Sequence, residues 1–155
     1  MSNGRLAEQV AWITGAGSGI GKGIAQTFAA EGAKVAVVEL DAKAAKTAAE
    51  EIGGKRGAAL AIACDVSKEQ QVKDSIEKTV AEFGGLQIII NYHVNKTPHP
   101  KETLARRLSR VPLGIALTPE DIAKAAVYFS CEDSAGITGT SLIVDAGYLA
   151  CAEWG

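Results

Sequence analysis

The stretch that decides the fold is a glycine-rich turn, Thr14-Gly15-Ala16-Gly17-Ser18-Gly19-Ile20-Gly21. It joins the apolar run of residues 10–13 to a stretch with helical periodicity, so it predicts the end of a buried strand and the start of a helix. We expect Gly15 to permit the sharp turn, Gly19 to let a phosphate approach the backbone, and Gly21 to let the helix pack closely against the strand. The free amides at the start of the helix would then face bound phosphates.

The context of this turn favours a dinucleotide-binding site over a plain strand-to-helix turn. Glu39 lies 18 positions after Gly21, at the end of a second apolar run, where its carboxylate can accept hydrogen bonds from both hydroxyls of an adenosine ribose. Its charge would repel a 2′-phosphate, and the turn contains no Lys or Arg, so the sequence favours NAD(H) over NADP(H). The alternative for Glu39 is a solvated strand end. The predicted cofactor contacts in this region are Gly15, Ser18, Gly19, Ile20, Gly21, Glu39 and Leu40.

The composition predicts one globular α/β domain over residues 1–155. The chain is 47% apolar and 22% charged, and its net charge of −2 with scattered basic residues argues against a nucleic-acid partner. No apolar run approaches the length of a membrane span, and the first residues lack an apolar leader. Three widely spaced cysteines fit reduced thiols in the cytoplasm, and two histidines without neighbouring ligands predict no metal site.

Residues 4–91 predict a βαβαβαβ unit. Apolar runs alternate with amphipathic helical stretches, which is typical of a parallel sheet with right-handed crossovers, a Rossmann-like doubly wound fold. Asp41 is predicted to cap the second helix, and Ser67 with Gln70 to form a capping box for the third. The predicted strands are residues 10–13, 35–38, 58–64 and 86–90.

The rest of the chain divides into an irregular junction, 92–118, and a closing part, 119–150. The junction has one helical candidate at about 101–110. In the closing part, Thr118 is the predicted N-cap of a helix that begins with proline, and residues 141–144 are the predicted last strand. We expect this strand to lie beside strand four, which would give a sheet of about five strands.

Several motifs follow the predicted strands and fill the closing part. They are Thr14-Gly-x-x-x-Gly-x-Gly21, Glu39, Cys64-Asp65-Val66, Arg110-Val-Pro-Leu-Gly, Thr118-Pro-Glu-Asp-Ile, Ile137-Thr-Gly and Val144-Asp-Ala-Gly-Tyr148. With these motifs, over residues 6–91 and 101–150, the chain resembles the short-chain dehydrogenase/reductase family. The resemblance implies an NAD(H)-dependent oxidoreductase that interconverts a secondary alcohol and a ketone by hydride transfer.

The resemblance also implies roles for single residues. Asp65 and Val66 would contact the adenine, and Asn91 would bond a backbone group near the ribose. The alternatives are a local helix-start role for Asp65 and a purely structural one for Asn91. The closing helix and strand, with Asp145 and Tyr148, would pack against the same elements of a second copy, which predicts a homo-oligomer.

The chain departs from the family pattern after strand four. The family has Asn-Asn-Ala-Gly there, followed by two strand–helix units with a catalytic serine and a Tyr-x-x-x-Lys pair, whereas this chain continues from Asn91 with Tyr92-His93-Val94. The sequence leaves open a natural deletion, an engineered one or an incompletely recorded chain. Tyr92 and Lys96 have the Tyr-x-x-x-Lys spacing, and on a helix such a lysine would lower the tyrosine pKa. Alternatively, Thr97-Pro98 matches the Thr-Pro after the family's sixth strand, and the pair spans a seam.

Two functional hypotheses follow. The first is hydride transfer between NAD(H) and a small secondary alcohol or ketone. The second is a non-catalytic dinucleotide-binding or oligomerising module. Loss of a positioned acid costs about 10²–10⁴-fold in rate, so the second has the stronger physical case for this chain. The sequence assigns no catalytic residue, leaves enzymatic activity open and does not identify a substrate.

Overall fold

Four parallel strands form the central sheet in the order β3-β2-β1-β4. The structure, a computed structural model, describes residues 4–53, 58–92 and 111–149. The strands are β1 (Val10–Thr14), β2 (Lys34–Glu39), β3 (Ala59–Ala63) and β4 (Ile88–Ile90). The helices are α1 (Gly19–Ala30), α2 (Ala42–Gly53), α3 (Glu69–Phe83) and α4 (Pro119–Phe129), and a short 3-10 helix follows at Glu132–Ser134. The predicted doubly wound α/β fold is confirmed, and these four strands form at the first four predicted runs.

Apolar residues cover both faces of the sheet, which explains why β1 and β2 are continuous apolar runs. On one face, Ile13, Val35 and Val37 pack in a cluster with side chains of α1, α2 and α4, including the fully buried Phe28. On the other face, Trp12 packs in a second cluster that includes partly buried side chains of α3. The two central strands are therefore held from both sides.

The caps of α2 and α4 are confirmed. The Lys43 amide donates to Asp41 Oδ1 at 2.8 Å, which satisfies a free donor at the start of α2. At α4, the Asp121 amide donates to Thr118 Oγ1 at 3.3 Å and the Thr118 amide donates to Asp121 Oδ2 at 2.8 Å. These two reciprocal bonds form a capping box, with Pro119 at the first helical position.

The capping box predicted for Ser67 and Gln70 is wrong. α3 begins one residue later, at Glu69, and the Ser67 amide and hydroxyl both donate to Asp65 Oδ1, at 3.0 and 2.7 Å. A carboxylate two residues before a serine amide is a strong local acceptor, so it engages the serine before the helix starts. Gln70 instead donates to Asp74 Oδ1 at 2.7 Å along the helix.

The strand predicted at 141–144 is also wrong. These residues have no strand conformation, and the sheet of the described residues has four strands with β4 at one edge. Leu142 and Ile143 are adjacent in sequence and both exposed, at 53% and 63%, whereas a half-buried strand would alternate. A short apolar run forms a strand only when a neighbouring strand pairs with its backbone through hydrogen bonds. The apolar composition of residues 141–144 was therefore not enough to predict a strand. The predicted helix at 101–110 lies outside the described residues.

None of the helices in the described ranges has both the length and the apolar character that a membrane crossing requires.

Candidate nucleotide-binding site

The strand order places the site. The chain passes from β1 to β2 and β3 on one side and then returns to place β4 on the other side of β1. In parallel sheets of this kind, ligands bind outside the carboxyl ends of the strands, near the point where the order reverses. A cavity of about 580 Å³ lies there. It is lined by Thr14, Gly15, Val38, Glu39, Leu40, Asp41, Cys64, Asp65, Val66, Ser67 and Tyr92.

The glycine turn has the geometry that the sequence predicted. Gly15 has a φ of +62° and Gly19 a φ of +56°, the left-handed region that glycine adopts without strain. A Cβ on Gly19 would meet no heavy atom within 4 Å, so this side of the turn is open. A Cβ on Gly21 would lie 2.2 Å from the Gly15 carbonyl oxygen, so α1 begins in direct contact with the turn. Ser18 is the N-cap residue, and its side chain makes no capping hydrogen bond within the described structure.

Glu39 lies directly against the turn. The Gly17 amide donates to Glu39 Oε2 at 3.2 Å, and the Leu40 amide donates to Oε1 at 2.8 Å. A Cβ on Gly17 would lie 2.8 Å from Glu39 Cγ and 2.9 Å from Ala44 Cβ, so only glycine fits there. Glu39 is therefore a half-buried, hydrogen-bonded carboxylate rather than a solvated strand end. The sequence analysis missed this role of Gly17, although its place among the glycines of the turn was a usable signal.

The opposite wall of the cavity follows β3. The bonds from Ser67 to Asp65 hold the pKa of this carboxyl below its ordinary value of 3.8, so Asp65 is ionised at neutral pH. Its own amide donates to Gln71 Oε1 at 2.8 Å. Val66 and Leu40 are 46% and 69% exposed and add apolar surface beside the cavity. The local role that was the alternative for Asp65 is thus present, and the same residue also lines the cavity.

Thr14 joins the ends of β1 and β4. Its hydroxyl accepts from the Tyr92 amide at 2.8 Å and lies within donating distance of Asn91 Oδ1, at 3.1 Å, and of the Tyr92 carbonyl, at 3.2 Å. Thr14 is only 2% exposed. Asn91 therefore has a structural bond, and the sequence analysis missed Thr14 as its partner.

Comparison with known proteins identifies the family. The family model described as short chain dehydrogenase matches residues 9–105, well over half of the chain. A second model, described as enoyl-(acyl carrier protein) reductase, matches residues 92–149. The chain belongs to the short-chain dehydrogenase family.

Two curated relatives are sugar-alcohol dehydrogenases by name. This short-chain dehydrogenase chain is 44% identical over 87 residues to D-threitol dehydrogenase of Mycolicibacterium smegmatis, a match that covers 56% of this chain and 34% of the relative. It is 46% identical over 87 residues to galactitol 2-dehydrogenase of Agrobacterium fabrum, covering 56% and 33%. The chain spans about a third of the length of these relatives.

A solved structure shows the same fold. The 3-ketoacyl-(acyl-carrier-protein) reductase of Brucella melitensis, complexed with NADH, aligns with a TM-score of 0.79 and 24% identity. The alignment covers 92% of this chain and 99% of that chain. The Rossmann-like architecture of the short-chain dehydrogenase family is thus present here in four strands.

The Tyr-x-x-x-Lys pair stays a prediction, because Lys96 lies outside the described residues. Burial raises the pKa of the Tyr92 phenol above its ordinary value of 10.0. Within the described ranges, His, Cys, Asp and Glu side chains form no group of three that could hold a metal ion. Cys64 and Cys131 are free thiols.

Proposed function

We propose that this chain binds NAD(H), with the adenosine half in the 580 Å³ cavity and the pyrophosphate at the start of α1. The observation that carries the proposal is the position of Glu39, whose carboxylate accepts from the Gly17 amide in the turn just before the N-terminus of α1. Three features there fit a dinucleotide: an open approach at Gly19, free helix amides, and a carboxylate for ribose hydroxyls.

The proposed contacts follow the order of the ligand. The pyrophosphate contacts are Gly15, Ser18, Gly19, Ile20 and Gly21. Glu39 accepts from the ribose hydroxyls, since a carboxylate has about four acceptor sites and only two are used by amides. Leu40, Asp65 and Val66 surround the adenine, and Asn91 contacts the cofactor near the ribose.

The charge of Glu39 supports NAD(H) over NADP(H). Two unit charges 4 Å apart repel by about 1 kcal/mol in water and about 4 kcal/mol near a protein surface. The repulsion between this carboxylate and a 2′-phosphate would therefore lower the affinity for NADP(H) by about tenfold or more. The Brucella reductase was solved in complex with NADH, which is consistent with this preference.

For this chain we propose binding without turnover. In longer relatives, the corresponding reaction would be hydride transfer between NAD(H) and a secondary alcohol or ketone, and the relatives named for D-threitol and galactitol make such polyols the first substrates to test. After β4 this chain departs from the family pattern, in which the catalytic serine and the Tyr-x-x-x-Lys pair would follow. A rate at least about 10²–10⁴-fold below that of an intact acid–base site is expected.

The test is a fluorescence titration of the full chain with NADH and with NADPH. We expect the wild type to bind NADH more tightly than NADPH. Glu39→Gln should lower the affinity for NADH and reduce the ratio of the affinities for NADH and NADPH. The matched control is Glu50→Gln, because Glu50 is an exposed residue of α2 whose ion pair among the described residues is a long one, with Lys46 at 3.9 Å. Equal affinity for the two dinucleotides, or no change in Glu39→Gln, would contradict the proposal.

Turnover is measured in the same preparation with NAD⁺ and either polyol. We expect no rate above the background without protein. A rate that Tyr92→Phe abolishes would refute the non-catalytic proposal and would support the Tyr-x-x-x-Lys interpretation.

We also propose that copies of the chain associate through residues 119–149. The inner face of α4 is used within the chain, because Ala123 and Val127 are fully buried, but Phe129, Leu142 and Ile143 remain exposed. Sedimentation at increasing concentration should show association, and Ile143→Lys should weaken it.

Free Cys64 and Cys131 fit a reducing, cytoplasmic location, which cell fractionation tests.

A further inference from the structure

Tyr92 is fixed in place by the ends of two strands. It follows β4 by two residues, and its amide donates to Thr14 Oγ1 at 2.8 Å, at the carboxyl end of β1. Its ring lies against the glycine turn, since a Cβ on Gly15 would lie 3.4 Å from Tyr92 Cδ1 and 3.0 Å from the Tyr92 carbonyl oxygen. The backbone and the ring are therefore both positioned before any ligand arrives.

The ring shares its cavity with the residues proposed to hold the adenosine. Tyr92, Glu39, Asp65 and Val66 all line the same space, and among its described lining residues Tyr92 is the only aromatic one. Aromatic faces stack on heterocyclic bases, and each such contact contributes about 1–3 kcal/mol, or about 5- to 150-fold in affinity.

We propose that Tyr92 is a nucleotide-contacting residue, whose ring forms the wall of the cavity beside Gly15 and packs against the adenosine moiety of the dinucleotide. This inference rests on the proposed NAD(H) binding. The Tyr92 phenol is neutral at neutral pH, as any tyrosine with an ordinary pKa is, and burial raises its pKa further. Tyr92 then acts in binding through its ring, and not as a proton shuttle.

The first test compares the wild type with Tyr92→Leu and Tyr92→Phe in titrations with NADH, AMP and nicotinamide mononucleotide. Leucine keeps apolar volume but removes the aromatic face. Tyr92→Leu should therefore lower the affinities for NADH and for AMP by about tenfold each. Tyr92→Phe should bind both within about threefold of the wild type, because it retains the ring. The control is Phe83→Leu, at the end of α3 and outside the cavity lining. Unchanged AMP affinity in Tyr92→Leu would overturn the inference.

A second measurement needs no destabilising substitution. Fluorotyrosine incorporated into the full chain gives resonances from Tyr92, Tyr128 and Tyr148, and the signal lost in Tyr92→Phe assigns the first. Saturating AMP should shift the Tyr92 resonance and leave the other two in place. No shift at Tyr92 would overturn the inference.

The outcomes separate the two proposals. A wild type that binds neither NADH nor AMP overturns the proposed function and this inference together. A wild type that binds both, with Tyr92→Leu equal to it, overturns the role of Tyr92 and leaves NAD(H) binding standing.

Discussion

Two glycines of the turn are needed for different physical reasons, and the same substitution separates them. Gly19 has a φ of +56° and open space around the position of a Cβ, whereas a Cβ on Gly21 would lie 2.2 Å from the Gly15 carbonyl oxygen. Gly19→Ala therefore strains only the backbone, while Gly21→Ala forces a packed contact apart. We expect Gly21→Ala to be the more destabilising variant.

The structure gives the magnitudes. Alanine in the left-handed region costs roughly 1–2 kcal/mol, which is the loss expected for Gly19→Ala. At Gly21, close carbon–oxygen contacts need about 3.3 Å, so the start of α1 must move by about 1 Å. Overpacking of this kind costs about 1–3 kcal/mol and occasionally more. The Gly15 carbonyl carbon, 2.7 Å from the same position, places Gly21→Ala at about 3 kcal/mol or above.

The assay is urea unfolding followed by far-ultraviolet circular dichroism, with an NADH titration of each folded variant. The control is Gly53→Ala at the end of α2, where a Cβ meets no heavy atom within 4 Å and φ is not left-handed. The free energy of unfolding of this control should rise by up to about 1 kcal/mol. Equal losses at Gly19 and Gly21 would refute the close packing of α1 on the turn. Unchanged NADH affinity in Gly19→Ala would refute the role of that glycine at the pyrophosphate.

Two further predictions concern stability. Thr118→Ala removes a hydroxyl of the α4 capping box and should lower the free energy of unfolding by about 1 kcal/mol in urea titrations, whereas Thr118→Ser should lose little; equal losses would contradict the cap. The side-chain hydrogen bond from Arg5, followed by that from its amide, holds the pKa of Glu31 below its ordinary 4.5, so this stabilisation is present above pH 4.5 and is lost as the pH falls below it. Between pH 5 and 3, Glu31→Gln should therefore lose less stability than the wild type, and parallel losses would rule out this pair as a source of acid sensitivity.

The sequence predicted most of the fold because the decisive signals are local. The βαβ alternation, the glycine turn and the Thr118 cap each depend on residues within a few positions of one another. The errors have a different origin. The Ser67 box failed because Asp65, two residues before it, competes for the same donors. The strand at 141–144 failed because strand formation depends on a distant partner that composition does not reveal.

The candidate site was predictable to a similar extent. Conformations at Gly15 and Gly19 follow from residue type, and the placement of Glu39 follows from its position after β2. The bonds between Thr14 and the residues after β4 join positions 77 and 78 apart in sequence, and no local pattern announces them. Such long-range contacts decide where Tyr92 lies, and its spacing from Lys96 carries no information about them.

Binding and turnover depend on different parts of this architecture. The proposed dinucleotide contacts come mainly from the turn before α1 and from residues that follow β2 and β3, and the strands that position them are paired with each other in one sheet. Their geometry depends on backbone conformation at the turn and on the two apolar clusters that pack against the sheet. Hydride transfer would also need an acid–base residue at the nicotinamide half of the cofactor, whereas the proposed contacts lie at the adenosine and the pyrophosphate. Because binding and turnover use different residues, binding can persist in a chain without turnover, and this is the combination that we expect.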